Sequence, residues 1–143
     1  ANPHSAHAAG RRAKAAVEAA REEIAALLPP GGRVVFTSGA TEALNWAIKG
    51  TRGPIVTLAT EHAAVLDAVA ACGRPATVLP GTGLVAAMLV NNEIGVIQPV
   101  AALAEAAHEA GALILCDAVQ GYGRVPIPDR CDLIAISAHK VHG

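Results

Sequence analysis

The sequence predicts an α/β fold of three layers, α/β/α, in which a mostly parallel sheet is covered by helices on both faces. Short apolar strands alternate with helical stretches along the chain, and this alternation is typical of parallel sheets. The strands are continuously apolar, which indicates burial on both faces. Because ligands of such sheets gather at the carboxyl ends of the strands, the polar residues at those ends are the candidates for function.

Local patterns define each element in turn. Apolar residues spaced among charged ones predict an amphipathic helix over residues 10–28, which ends at Pro29-Pro30-Gly31-Gly32. A β-branched run predicts a strand at 34–37, followed by a tight turn and a helix that ends near Lys49. Further strands are predicted at 55–59, 84–90, 113–117 and 133–137, with helices at 62–72 and 99–110.

One connection is unusually short. A strand-like segment at 76–79 passes through Pro80-Gly81-Thr82-Gly83 directly into the strand at 84–90. A parallel crossover normally takes about a dozen residues or more. Either these two strands are antiparallel or a segment is missing between them.

Size and composition favour one soluble domain spanning 1–143. Hydrophobic residues make up 52% of the 143-residue chain and charged residues 16%, which argues against disorder. A formal charge of −1 and an aromatic content of 2% argue against nucleic acid and anionic lipid as partners, and no apolar run is long enough for a membrane span. No targeting segment is visible. The cysteines are odd in number and lack CxxC spacing, which favours a reducing, cytoplasmic setting.

The residues Ser38-Gly39-Ala40-Thr41-Glu42 lie where a predicted strand turns into a helix. Free backbone amides at a helix start attract an anion, and a phosphate would suit them. The segment is neither a Walker loop nor a GxGxxG motif. A helix cap without a ligand is an equally good interpretation of this segment alone.

Two further residues follow predicted strands. Asp117 ends a buried strand, where an unpaired carboxylate is costly, so it needs a cationic side chain or a protonated ligand nitrogen as partner. Gln120 is near enough to address the same ligand. Lys140 follows the last strand, where a partly desolvated amine can bond covalently to an aldehyde, although a solvated lysine is the commoner case. A phosphate seat, a strand-end carboxylate and a lysine together are what pyridoxal phosphate requires.

Several stretches extend this interpretation over nearly the whole chain. They are Asn2-Pro3-His4-Ser5-Ala6-His7, Phe36-Thr37-Ser38-Gly39-Ala40-Thr41-Glu42, Thr60-Glu61-His62, Val90-Asn91-Asn92-Glu93-Ile94-Gly95, Asp117-Ala118-Val119-Gln120 and Ser137-Ala138-His139-Lys140. In these residues and their order the chain resembles the class V aminotransferases among the pyridoxal-phosphate enzymes of fold type I, and within them the cysteine desulfurases. The resemblance implies the large, cofactor-binding domain of such a transferase.

The resemblance also implies residue roles. Lys140 would hold the cofactor covalently. His62 would stack on the pyridine ring of the cofactor and assist proton transfers, although a lone histidine at a helix start is more often a helix cap or a core residue. Asp117 would pair with the ring nitrogen. The remaining contacts would be Gln120 and Asn92 near the phenolic oxygen, and Ala40, Thr41, Ser137 and His139 around the phosphate.

The implied reaction removes sulfur from L-cysteine or a related amino acid and leaves alanine and an enzyme persulfide. A homodimer and a sulfur acceptor or Fe-S scaffold protein are the implied partners. Two alternatives remain open: another class V enzyme, such as a selenocysteine lyase or aminotransferase, and a noncatalytic truncated paralogue that serves as a dimerisation scaffold.

The chain departs from the pattern of the family in two ways. The catalytic cysteine, the substrate-carboxylate arginine, a phosphate ligand from the second subunit and the small C-terminal domain would lie beyond the lysine motif. The chain is also shorter than the family between Lys49 and Ile55 and between Leu79 and Leu84. Because the cofactor residues are all intact, omitted segments are favoured over a degenerate paralogue. Cys72, Cys116 and Cys131 match no catalytic position and are expected to be buried small hydrophobes. The pairs His4/His7 and His139/His142 lack a third ligand, so no metal is expected.

Overall fold

The computed structural model describes residues 2–77 and 80–142, and the chain forms two compact units, Ala1–Phe36 and Thr37–Gly143. The first unit contains helix α1 (Ala8–Ala25). His7 begins this helix, because its Nδ1 accepts a hydrogen bond from the Gly10 amide at 3.2 Å. The predicted helix at 10–28 is therefore confirmed, with both ends shifted toward the N-terminus.

The strand predicted at 34–37 is wrong. The structure assigns no regular element to these residues, and Val35 and Phe36 are 56% and 45% exposed. The Arg21 side chain donates to the main-chain oxygen of Val34 and lies 4.9 Å from the centre of the Phe36 ring. A β-branched run becomes a strand only when a neighbouring strand pairs with it, and no described strand does so here.

The second unit is a parallel sheet with helices. Its strands are β1 (Ile55–Thr57), β2 (Pro75–Ala76), β3 (Leu84–Met88), β4 (Leu113–Asp117) and β5 (Leu133–Ala135). Its helices are α2 (Ala40–Gly50), α3 (Ala63–Cys72), α4 (Val100–Glu109) and a short 3₁₀ helix at Ala138–Lys140. The five strands are ordered β2-β1-β3-β4-β5, and every neighbouring pair is parallel. The predicted parallel sheet is confirmed.

Alternate strand residues face opposite helical layers. Ala86 and Leu115 pack in one cluster with the buried residues of α2 and α3, among them Val65. Val85 and Ile114 face the other way and pack against the alanines of α4. This alternation follows from the two-residue period of a strand, and it confirms the three-layer arrangement.

The short connection between β2 and β3 joins two parallel strands. Both strands run parallel to β1 and lie on opposite sides of it, so the antiparallel alternative is wrong. Residues 78 and 79 lie outside the described residues, and with them half of the predicted strand at 76–79. In the described ranges no helix is long and apolar enough to cross a bilayer. The cysteines are free thiols, with Cys116 buried and the other two half-buried.

Candidate active site

A cavity of about 400 Å³ opens at the carboxyl ends of the strands in the second unit. Its walls come from the segments that follow β1, β3, β4 and β5 and from the start of α2. The strand that follows β1 in the chain, β2, lies on one side of β1, and the next strand, β3, lies on the other side. The direction of strand addition therefore reverses between β1 and β3. Parallel sheets bind ligands at such a reversal. The structure brings every predicted site residue to this cavity: Ala40, Thr41, His62, Asn92, Asp117, Gln120, Ser137, His139 and Lys140.

Asp117 is the buried charge of the cavity. It is only 6% exposed, and its Oδ1 accepts a hydrogen bond from the Val119 amide at 3.0 Å. Burial raises the pKa of this carboxyl group, while the Val119 hydrogen bond and the nearby His62 act in the opposite direction. Asp117 forms no ion pair with any described residue. Since a buried carboxylate is costly without a cation, Asp117 is the residue of this cavity that a cationic ligand atom would stabilise most.

His62 combines a structural role with access to the cavity. Its Nδ1 accepts a hydrogen bond from the Ala64 amide at 3.1 Å and thereby caps α3. His62 is therefore a helix cap, as the alternative interpretation predicts. Because Nδ1 is an acceptor here, the proton of the neutral ring lies on Nε2. The side chain is exposed and lines the cavity, which leaves Nε2 available to a ligand.

Lys140 ends the short 3₁₀ helix that follows β5. Its main chain is fixed twice, since Lys140 N donates to Ser137 O at 3.2 Å and Arg124 Nη2 donates to Lys140 O at 2.9 Å. Lys140 is half-buried and lines the cavity, and its amine forms no hydrogen bond or ion pair with the described residues. A lysine with a fixed backbone and an unengaged amine is ready to bond to a ligand.

The start of α2, where the sequence predicts an anion seat, opens into the cavity. The first amides of a helix have no partner within it, and a side chain at Gly39 would meet nothing within 4 Å, so the seat is open. Glu42 Oε2 accepts from the Ser38 amide at 2.6 Å, and this bond lowers the pKa of the Glu42 carboxyl group. The segment before α2 thus already binds one carboxylate, that of Glu42.

The sequence analysis did not single out two buried polar residues beside the cavity. Glu61 Oε1 accepts from the Met88 amide at 2.8 Å, and burial raises the pKa of Glu61 to about 7. Asn91 Nδ2 donates to Thr60 O at 2.9 Å, and Asn91 Oδ1 accepts from the amides of Glu93 and Ile94. Both residues lie in stretches that resemble the family. The sequence analysis assigned a function only to their neighbours, to His62 beside Glu61 and to Asn92 beside Asn91.

The fold and the cavity define a parallel α/β protein with an open cavity at the carboxyl ends of its strands. The chain belongs to the aminotransferase class-V family, whose model matches residues 1–78 and 73–143. The resemblance found in the sequence is thereby confirmed at the level of the family.

Curated relatives carry the similarity to cysteine desulfurases. The chain is 41% identical to cysteine desulfurase IscS of Anaeromyxobacter sp. (strain K), with 96% of this chain and 42% of the relative covered. It is 40% identical to cysteine desulfurase IscS of Dechloromonas aromatica (strain RCB), covering 99% of this chain and 44% of the relative. The chain therefore spans less than half the length of these relatives.

Solved structures give the same result for the fold. SspA in complex with cysteine matches with a TM-score of 0.88 and 31% identity, over 100% of this chain and 50% of that one. DndA from Streptomyces lividans matches with a TM-score of 0.80 and 38% identity, over 98% and 48%.

The alignments also bear on the short connections. The alignment with the Anaeromyxobacter sp. (strain K) relative has 169 positions, so at least 26 of them are gaps in this chain of 143 residues. The two family-model segments meet at residues 73–78, next to the tight β2–β3 connection. The chain is shorter than its relatives within the aligned region, as the resemblance implied.

Proposed function

We propose that the chain is the pyridoxal-phosphate-binding part of a cysteine desulfurase, in which residues 1–143 belong to one large domain. The observation that carries the proposal is the presence of two groups in one cavity: the buried Asp117 carboxylate, which forms no ion pair with the described residues, and the Lys140 amine, which forms no hydrogen bond or ion pair with them. A ligand with both a basic ring nitrogen and an aldehyde satisfies both groups. Pyridoxal phosphate, the cofactor of this family, is such a ligand.

The remaining residues fit the same ligand. Its phosphate suits the open start of α2 at Ala40 and Thr41, with Ser137 and His139 completing the seat. Ser137 Oγ and His139 Nδ1 are 2.7 Å apart, so each orients the other. Gln120 and Asn92 would supply amide donors to the phenolic oxygen. The fit requires the Glu42 carboxylate to share the seat with the phosphate or to turn outward, which its exposed surroundings allow.

Each of these residues has its own role in the proposed chemistry. When bound, the cofactor supplies an electron-withdrawing ring that weakens bonds at the α-carbon of an amino acid. Asp117 would hold a proton at the ring nitrogen. The Lys140 amine would hold the aldehyde and then exchange protons with the substrate, and His62 Nε2 would act as a second proton donor or acceptor on the ring face.

Sulfur removal requires a thiol that the cavity does not provide. None of the described cavity residues is a cysteine. The thiol that takes sulfur from L-cysteine would therefore come from another part of a longer protein, as the resemblance implies. A homodimer, a sulfur acceptor or Fe-S scaffold protein and a cytoplasmic location belong to the same proposal. Cysteine as the substrate is supported by the similarity to SspA, whose solved structure is a complex with cysteine.

The test of the cofactor is a spectrum with a chemical trap. The chain is titrated with pyridoxal phosphate, its absorbance is recorded, and the adduct is reduced with borohydride and located by mass analysis. Wild type is expected to develop a lysine-linked absorbance band and to carry the reduced cofactor on Lys140. Lys140→Ala should lose both signals, while the control Lys49→Ala, which changes an exposed lysine, should keep them.

The outcome decides between the alternatives. Equal labelling of wild type and Lys140→Ala, or no labelling of either, would refute the cofactor assignment and favour the noncatalytic scaffold. For a longer protein that contains this chain, alanine production from L-cysteine supports desulfuration. Product formation only from selenocysteine or a keto acid would instead assign another class V reaction.

A further inference from the structure

Glu61 is a buried acid to which the proposed reaction gives no role. It lies between β1 and α3, directly before His62, and is 6% exposed. One carboxyl oxygen, Oε2, has no hydrogen-bond partner among the residues that the structure describes. A buried polar group that is only half satisfied calls for an explanation, since fully apolar residues would pack there at lower cost.

The bonded oxygen of Glu61 joins two parts of the cavity wall. Glu61 Oε1 accepts from the Met88 amide at 2.8 Å, and Met88 ends β3 directly opposite Asp117 in the sheet register. Asn91, which follows β3, holds the same turn by donating to Thr60 O at 2.9 Å. The segment that carries His62 is thus tied to the end of β3 at two successive residues, Thr60 and Glu61.

We propose that Glu61 is a positioning residue: its side chain fastens the Thr60–His62 turn to the end of β3 and thereby sets where His62 stands at the cavity. The inference rests on the proposed function for its biological meaning. The coupling of Glu61 to His62 and Met88 can be tested in the chain without a cofactor.

The charges around Glu61 explain why an acid can occupy this position. Burial raises the pKa of Glu61 to about 7, and the neighbouring Asp117 acts in the same direction. The other titratable groups nearby are the Cys116 thiol, on which the charge of Glu61 acts, and His62, which faces Asp117. Below neutral pH Glu61 is a neutral acid that accepts from Met88 without placing a second charge beside Asp117. Above neutral pH the buried charge favours release of the turn.

The test follows His62 in the cofactor-free chain by nuclear magnetic resonance. The ring signals of His62 and the amide signal of Met88 are recorded against pH for wild type, Glu61→Gln, Glu61→Leu and the control Glu105→Gln. Glutamine retains a neutral acceptor for Met88, whereas leucine removes it. Glu105 is an exposed acid on α4 and matches the change in charge.

The expected results separate positioning from packing. Wild type and Glu105→Gln should show a titration of the Met88 amide signal near pH 7, at the pKa of Glu61. Glu61→Gln should lose that titration while keeping the low-pH positions of the signals. Glu61→Leu should displace the His62 signals at every pH. Persistence of the Met88 titration in Glu61→Gln would mean that the Met88 amide does not sense Glu61, and it would overturn the proposal even where Glu61→Leu fails to fold.

Cofactor binding is read separately from these signals. Pyridoxal phosphate affinity is expected to change less than about twofold in Glu61→Gln below pH 7 and to fall about tenfold or more in Glu61→Leu, as expected for a displaced contact. If wild type binds no cofactor, the proposed function fails, yet the His62 signals in Glu61→Gln and Glu61→Leu still decide whether Glu61 positions His62. Unaltered His62 signals in a folded Glu61→Leu protein would exclude positioning whatever the cofactor does.

Discussion

Arg124 Nη2 donates a hydrogen bond to the main-chain oxygen of Lys140 at 2.9 Å, and Nη1 of the same side chain donates to Gln120 O at 3.3 Å. One exposed arginine therefore clamps the segment after β4 to the segment after β5. Both segments carry candidate cofactor contacts, so the clamp holds Gln120 and Lys140 in a fixed relation although Arg124 itself does not line the cavity.

Removal of this clamp should loosen Lys140 without unfolding the chain. In Arg124→Ala we expect the amides of residues 138–141 to exchange hydrogen about fivefold faster, the effect of losing a bond worth about 1 kcal/mol. Hydrogen exchange with mass analysis of this segment measures the change. Arg130→Ala is the matched control, because Arg130 contacts His108 instead. Equal exchange rates in Arg124→Ala and wild type would show that the bond does not restrain the lysine.

Asp117 should be a site where ligand binding and stability conflict. Asp117→Asn removes a buried charge without an ion-pair partner and keeps an acceptor for the Val119 amide. We expect the cofactor-free chain to gain about 1 kcal/mol of unfolding free energy at neutral pH, whereas the affinity for pyridoxal phosphate falls about tenfold or more. Denaturant unfolding and cofactor titration measure the two effects.

The control for this variant is Asp129→Asn, which neutralises an exposed acid. It should alter neither quantity. A loss of stability in Asp117→Asn would mean that the carboxylate is already paired within the protein, and the argument for a cationic ligand would fail.

Much of the fold and the site could be predicted from the sequence because the signals are local. Continuous apolar runs indicate the buried strands, and residues such as Asp117 and Lys140 follow those runs directly. The apolar run at 34–37 has the same local pattern as the buried strands, but no described strand pairs with it. Whether a run finds a partner strand depends on the whole fold and cannot be read from the run itself. The roles of Glu61 and Asn91 also depend on contacts with distant residues, 27 and 31 positions away in the chain.

The tight entry to β3 should tolerate no side chain at Gly83. A Cβ there would overlap the main-chain oxygen of Arg52 and come within 2.9 Å of its carbonyl carbon. Because those atoms belong to the backbone, relief requires a shift of the loop before β1. We expect Gly83→Ala to lower the free energy of unfolding by about 1–3 kcal/mol. Thermal or denaturant unfolding measures it.

Gly32→Ala is the control for this substitution, since a Cβ at Gly32 meets nothing within 4 Å. It should leave stability unchanged within about 0.5 kcal/mol. Wild-type stability in Gly83→Ala would indicate that the loop at Arg52 yields freely and that the close approach does not restrain β3.

The stability of the chain should fall as the pH rises from about 4.5 to about 7 because of Glu61. Burial raises the pKa of Glu61 from 4.5 to about 7 in the folded chain, so in this range the folded state binds more protons than the unfolded state. The stabilisation relative to high pH is fully present below pH 4.5 and is lost as the pH passes through 7, a change of roughly 3 kcal/mol. Asp117, whose pKa is also raised, contributes with the same sign.

Denaturant unfolding at a series of pH values measures this dependence, and Glu61→Gln identifies its source. The variant cannot ionise at this position, so its stability curve should be flatter by most of the roughly 3 kcal/mol assigned to Glu61, whereas Glu105→Gln should follow wild type. A wild-type curve that rises over this range would show that Glu61 finds a stabilising partner when ionised. The carboxylate would then hold the Thr60–His62 turn as a charged group, and the turn would tighten above neutral pH instead of loosening.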